Sequence, residues 1–213
     1  MQFKQLKQLT SFLIAASALS TSADSLNGLE NFIRNTKAAH ADFTQVVTYP
    51  ARDGQSARAK TSSGHFAFIR PGRFRFDYLK PFAQTIVADG QTLWLYDVDL
   101  NQVTARKQAQ ALASTPAALI ASATDLTALQ ADFTLSAQAD QEGMEWVLAT
   151  PKAKDSPLQS VRVGLRAGEL AALEILDTFG QKSSLRFSGF TPQAPDPSHF
   201  QFKPPAGADV VRQ

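Results

Sequence analysis

The chain contains no cysteine. That excludes disulfides, thiolate metal sites and cysteine nucleophiles. Bacterial lipid anchors are attached to an N-terminal cysteine, so the chain is also not expected to be a lipoprotein itself. It lacks a G-x-S-x-G elbow, a P-loop and a G-x-G-x-x-G turn, the commonest signatures of hydrolases and nucleotide enzymes. Histidine is scarce: the three present, His40, His65 and His199, are far apart in sequence, and none has a histidine or carboxylate at ligand spacing. Asp97 and Asp99 flank a turn as a candidate carboxylate pair, but turn chemistry explains them better. No enzyme, metal or other cofactor is therefore expected. No later segment approaches the ~20 consecutive apolar residues of a spanning helix.

An excess of charge is missing too. Of 21 basic residues, Lys4 and Lys7 lie in a short N-terminal stretch that holds no acid, so the rest of the chain carries 19 of each sign. This neutrality argues against nucleic acid or an anionic membrane surface as a main partner, leaving only local patches. The stretch itself reads as an export signal: two lysines, the uncharged apolar SFLIAASALS, then small residues at Thr21-Ser22-Ala23. Cleavage is expected after Ala23. Residues 24–213, in a chain 44% hydrophobic and 19% charged, are enough for one domain with a sizeable core. We find no internal repeat and no dividing linker.

Leu26, Leu29 and Ile33, with Phe32 beside them, predict a helix that starts near Asp24 or Ser25 and ends near Ala39-His40. Strand-like runs follow: DFTQVVTY, GHFAFI, RFRFDYL, QTIVADG, TLWLYD and QVTAR. Asp89-Gly90 signals a tight hairpin, and the Asp97 to Asn101 region the next turn. STPAALIASATDLTAL interrupts with one or two short helices, Pro116 in the first turn and Ser114 or Thr115 as cap. ADFTLSAQ, MEWVLATP, QSVRVGLR, LAALEILD and SSLRFSGF resume the strands before a proline-rich end. The expectation is an α+β chain, mainly β, with ten or eleven antiparallel strands.

The stretch HFAFIRPGRFRFDY carries the unusual chemistry. Alternation places Phe74, Phe76 and Tyr78 on one face of a strand and Arg73, Arg75 and Asp77 on the other. In the run before it Phe66, Phe68 and Arg70 share a face, so a guanidinium points toward the same apolar space as two aromatics and needs partners there. With 15 phenylalanines, Trp94 and Trp146, a curved sheet with helices over its mouth has the means to line an apolar cavity guarded by Arg70.

GHFAFIRPGRFRFDYLKPFAQTIVADGQTLWLYDVDLNQVT resembles the signature region of the LolA family of periplasmic carriers of outer-membrane lipoproteins. HADFTQ, STPAALIA, LATPKA and FQFKPPAG extend the likeness along the chain. The resemblance implies an incomplete antiparallel β-barrel, its open side covered by helices over a hydrophobic cavity for acyl chains. Arg70 occupies the position of the arginine that holds the lid closed through backbone carbonyls of the covering helices. Phe74, Phe76, Phe66 and Phe68 on strands, Leu29 and Ile33 on the first helix, and Leu119 and Ile120 on the lid are the implied cavity lining. Phe76 stands where many members have tryptophan, and Ala117 and Ala118 are smaller than some members' lid residues. The implied partners are acylated lipoproteins as cargo, an inner-membrane ABC transporter complex as donor and a lipid-anchored outer-membrane acceptor; a monomer is the default. A paralogue carrying another acyl lipid or glycolipid is the alternative.

Overall fold

The structure, a computed structural model, describes residues 24–51, 56–111 and 123–213. It opens with α1 (Asp24–Asn35) and a run of six strands: β1 (Ala38–Tyr49), β2 (Arg58–Ile69), β3 (Arg73–Lys80), β4 (Gln84–Ala88), β5 (Thr92–Asp97) and β6 (Gln102–Lys107). Two short helices, α2 (Gln108–Ala111) and α3 (Leu126–Asp132), precede β7 (Phe133–Gln141), β8 (Met144–Pro151), β9 (Leu158–Arg166), β10 (Glu169–Asp177) and β11 (Lys182–Thr191). A 3-10 turn at Pro197–Phe200 and β12 (Asp209–Arg212) close the chain.

All strands belong to one open sheet in the order β12-β6-β5-β4-β3-β2-β1-β11-β10-β9-β8-β7. The outermost strands, β12 and β7, are not paired to each other, so the barrel is incomplete as expected. Some details differ from the sequence reading. The described residues form twelve strands, and the additional one, β12, runs parallel to β6 with Val210 beside Val103. The first helix also stops at Asn35 rather than near His40. Alternation wins over helical periodicity there, because Ala39 and Phe43 bury on one face while His40 and Asp42 stay exposed on the other. Ahead of β7, Ala131 and Asp132 finish α3 instead of starting the strand.

The hairpin signal at Asp89-Gly90 is met. The Asp89 carboxylate accepts from the amides of Gln91 (2.8 Å) and Thr92 (2.7 Å) and from the Trp94 indole (2.8 Å), while Gly90 takes a positive φ of 104°. Asp97 likewise accepts from the Leu100 amide at 3.0 Å and shapes its turn.

Apolar residues pack on both faces of the sheet. The main core lies on the concave face, where α1 lays Leu29, Phe32 and Ile33 against Phe43, Phe66, Phe68, Phe74 and Phe76. On the convex face Val87, Trp94, Val103 and Ala105 are covered by Phe202 and Val210 of the C-terminal segment. Farther along that face Met144, Trp146 and Ala172 form a third cluster. Trp146 is roofed by the guanidinium groups of Arg162 (4.4 Å) and Arg186 (5.7 Å), which are anchored to Glu174. Both tryptophans are therefore outside the concave face that the phenylalanines line. Among the described residues no helix is long and apolar enough to cross a membrane.

Candidate functional site

Arg70 follows β2 directly, and its own amide donates to the Lys37 carbonyl at 2.8 Å, fixing the strand end beside the exit of α1. From there the side chain turns inward and is 7% exposed. Its Nε donates to the Thr36 carbonyl at 3.0 Å, just past α1, and Nη1 donates to the Ala123 carbonyl at 3.0 Å, just before α3. The guanidinium carbon also lies 5.0 Å from the Phe68 ring centre and 5.4 Å from that of Phe32. One cation thus ties together the ends of two helical segments that are remote in sequence. Burial disfavours its charge, and its pKa falls from 12.5 to about 10. The carbonyl oxygens and ring faces around it offset that cost.

The described cavity candidates come together. Leu29, Ile33, Phe66, Phe68, Phe74 and Phe76 all belong to the concave-face cluster, each 4% exposed or less. They pack ring on ring: Phe66 lies 4.4 Å from Phe76 and 5.7 Å from Phe68, centre to centre. Leu119 and Ile120, like Ala117 and Ala118, lie outside the described residues. Three further rings complete the wall. Phe43 meets Phe76 edge-on at 5.3 Å, Phe187 stands 5.4 Å from Phe66, and Phe32 stands 6.4 Å from Phe68. Phe43 and Phe187 could have been found from alternation in β1 and β11. The accepting carbonyls of Thr36 and Ala123 carry no side-chain signature and could not.

The same face changes character toward the other end of the sheet. There Gln45 donates to the Ser183 hydroxyl at 2.6 Å, and two openings of about 460 and 310 Å³ share Gln45 and Val47 in their walls. Tyr78 borders the larger opening, and burial pushes its phenol up to about 12. On the convex face, the three histidines that are dispersed in sequence line one cleft of about 630 Å³, with Asp42 2.6 Å from His65 Nδ1.

An unclosed sheet with an aromatic concave face, capped by helical segments that a buried arginine clasps, defines an open-barrel α+β protein with an apolar interior. The profile of the family Outer membrane lipoprotein carrier protein LolA matches residues 34–203. An Outer-membrane lipoprotein carrier protein of Albidiferax ferrireducens is 63% identical over 98% of this chain and 100% of its own length. One from Leptothrix cholodnii is 50% identical over 90% of this chain and 87% of its own. Among solved structures, an uncharacterized conserved protein from Thermus thermophilus shares the fold, with a TM-score of 0.53 at 14% identity over 90% of this chain and 98% of that one. The chain belongs to the LolA family.

Proposed function

We propose that the protein carries acylated outer-membrane lipoproteins through the periplasm. On this reading residues 1–23 are an export leader, and the mature monomer receives cargo from an inner-membrane ABC transporter complex. It then passes the cargo to a lipid-anchored outer-membrane acceptor. The names of the relatives support the cargo class. The observation that carries the mechanism is the Arg70 clasp over an aromatic floor.

Each acyl CH₂ kept from water is worth about 0.8 kcal/mol, so a triacylated protein does not cross an aqueous gap unaided at a useful rate. The carrier must hide those chains and still release them. In the closed form the phenylalanines satisfy one another and Arg70 satisfies two carbonyls. Entering chains separate the rings and break those hydrogen bonds. Reclosure then competes with the cargo, which lowers net affinity and keeps onward transfer downhill. Nothing in this cycle forms or breaks a covalent bond, and the protein acts as a carrier rather than a catalyst.

The test is release from spheroplasts making labelled triacylated lipoprotein. Soluble lipoprotein in a one-to-one complex with the carrier supports the proposal. A carrier that releases none, and that native mass spectrometry finds loaded with another acyl lipid or glycolipid, overturns it.

A further inference from the structure

Six of the seven large apolar side chains that stand exposed among the described residues gather at one end of the sheet. Tyr49 ends β1, Leu79 lies near the end of β3, Phe82 follows it, Val98 and Leu100 follow β5, and Phe179 follows β10. The antiparallel register brings these loops to the same edge, since Tyr49 is opposite Arg58, Ser63 opposite Lys80, Gln84 opposite Asp97 and Thr48 opposite Lys182. Arg70 and the exit of α1 are at the opposite end. Phe179 is 78% exposed, Leu100 70% and Phe82 60%. Such side chains are normally spaced singly over a surface, not collected at one pole.

Two features indicate what meets them. The apolar groups sit on separate loop tips flanked by the basic side chains Arg58, Lys60 and Lys80, with Lys154 on the loop after β8, while Lys182 lies beside Glu174 at 3.9 Å and Lys152 donates to the Gln130 carbonyl. The Lys60 ammonium lies 5.0 Å over the Phe82 ring. Among the described aspartates at this end, Asp97 and Asp177 turn back to accept from the amides of Leu100 and Phe179, bracing the turns that present those residues. Protein interfaces bury a continuous apolar centre and are depleted in lysine. Aromatic and aliphatic tips with lysine between them are the pattern of a lipid interface, where the rings sit at headgroup depth and the ammonium groups reach the phosphates. The tips also border the openings that lead to Gln45 and Val47 on the concave face.

We propose that this end of the barrel is a bilayer-contact surface. It touches anionic phospholipid headgroups, with Phe82, Leu100 and Phe179 dipping to the acyl boundary. The contact is weak and reversible. The partition constant falls below the roughly 10⁴ M⁻¹ of a single myristoyl chain, so the protein remains soluble between encounters.

The experiment is flotation of the exported protein, recovered without cargo, with vesicles of phosphatidylethanolamine and phosphatidylglycerol, and with phosphatidylcholine vesicles as the neutral control. Binding is expected to the anionic vesicles, several-fold weaker at about 0.5 M salt than at about 0.05 M. Phe82→Ser combined with Phe179→Ser should lower partitioning about tenfold or more, with an unchanged thermal midpoint. Val211→Ser, an exposed apolar residue within the edge strand β12 opposite Thr104 rather than on a loop tip, should leave partitioning as it was. Absence of flotation with either vesicle overturns the proposal. So does a double variant that floats like the parent while losing capture by a soluble acceptor domain, which would make the rim a protein-docking surface. Either failure leaves the carrier reading intact, because lipoprotein release from spheroplasts is measured separately.

Discussion

Replacing Arg70 by leucine separates the two energies that the clasp balances. Each hydrogen bond from the cation to Thr36 or Ala123 is worth about 1.5–3 kcal/mol. Against this, a pKa lowered from 12.5 to about 10 means that burial costs the charged form about 3 kcal/mol. The net hold is therefore about 0–3 kcal/mol, small enough for cargo to overcome. Leucine removes the burial cost together with both bonds, but it leaves two carbonyls facing an apolar side chain, at about 1–3 kcal/mol each where water does not reach them. We expect the closed arrangement to lose about 2 kcal/mol or more, a shift of at least roughly thirtyfold toward the open one. Hydrogen exchange at Ala123 and in the first turn of α3 reads that shift directly. In the spheroplast assay the variant should load lipoprotein, and delivery to acceptor-containing membranes should slow. Parental exchange at Ala123 combined with parental delivery would refute the clasp.

Three further outcomes follow from local geometry. Arg70→Lys keeps the charge but loses the planar fork that spans both carbonyls, so its delivery defect should be milder than that of leucine; a defect of equal size would mean that charge contributes nothing. Gly64→Ala places a methyl group against the backbone carbonyl oxygen of Asp77, which cannot swing away. It should cost about 3 kcal/mol or more in urea unfolding, whereas Gly143→Ala, with open space and a φ of 67°, should cost about 1 kcal/mol; equal costs would contradict the contact. Desolvation, then the Arg75 charge, pushes the His199 pKa below 6.5. The unfolded chain then takes up a proton that the folded chain resists, so this contribution to stability is present above pH 6.5 and is lost as the pH falls below it. His199→Asn should flatten the decline of the melting temperature between about pH 7 and pH 5, and an unchanged decline would assign the loss to other groups.

Local chemistry made much of this fold legible. Alternation in RFRFDYL separates Phe74 and Phe76 from Arg75 and Asp77, and the structure keeps that division, with Arg75 bonded to Asp77 at 2.7 Å on the convex face. The inward turn of Arg70 was readable from its shared face with Phe66 and Phe68, and the need for acceptors from burial alone. What escaped was set by distant partners. The first half of β2, RAKTSS, has no apolar alternation, yet it is a strand because β1 offers a complete ladder from Thr44 to Tyr49. β12 is only four residues long and exists by lying along β6. The two tryptophans looked like cavity material by composition, but alternation in β5 and β8 sends both to the convex face, where the C-terminal segment and two arginines cover them. The three histidines meet for a similar reason: β1 and β2 set His40 and His65 side by side, and the proline-rich segment returns with His199.

Those convex-face clusters have a mechanical consequence. A bare sheet of this width would flex, and its interior could widen by bending the wall. Here Trp94 is clamped beneath Phe202, and Trp146 beneath a lattice of arginine and glutamate. The wall is stiffened from behind, so in the proposed carrier cycle room is expected to come from movement of the covering helical segments rather than from bending of the sheet. On the proposed function, the number of hydrocarbon chains held would then follow how far these helices travel, with the Arg70 bonds to Thr36 and Ala123 as the latch that must open first.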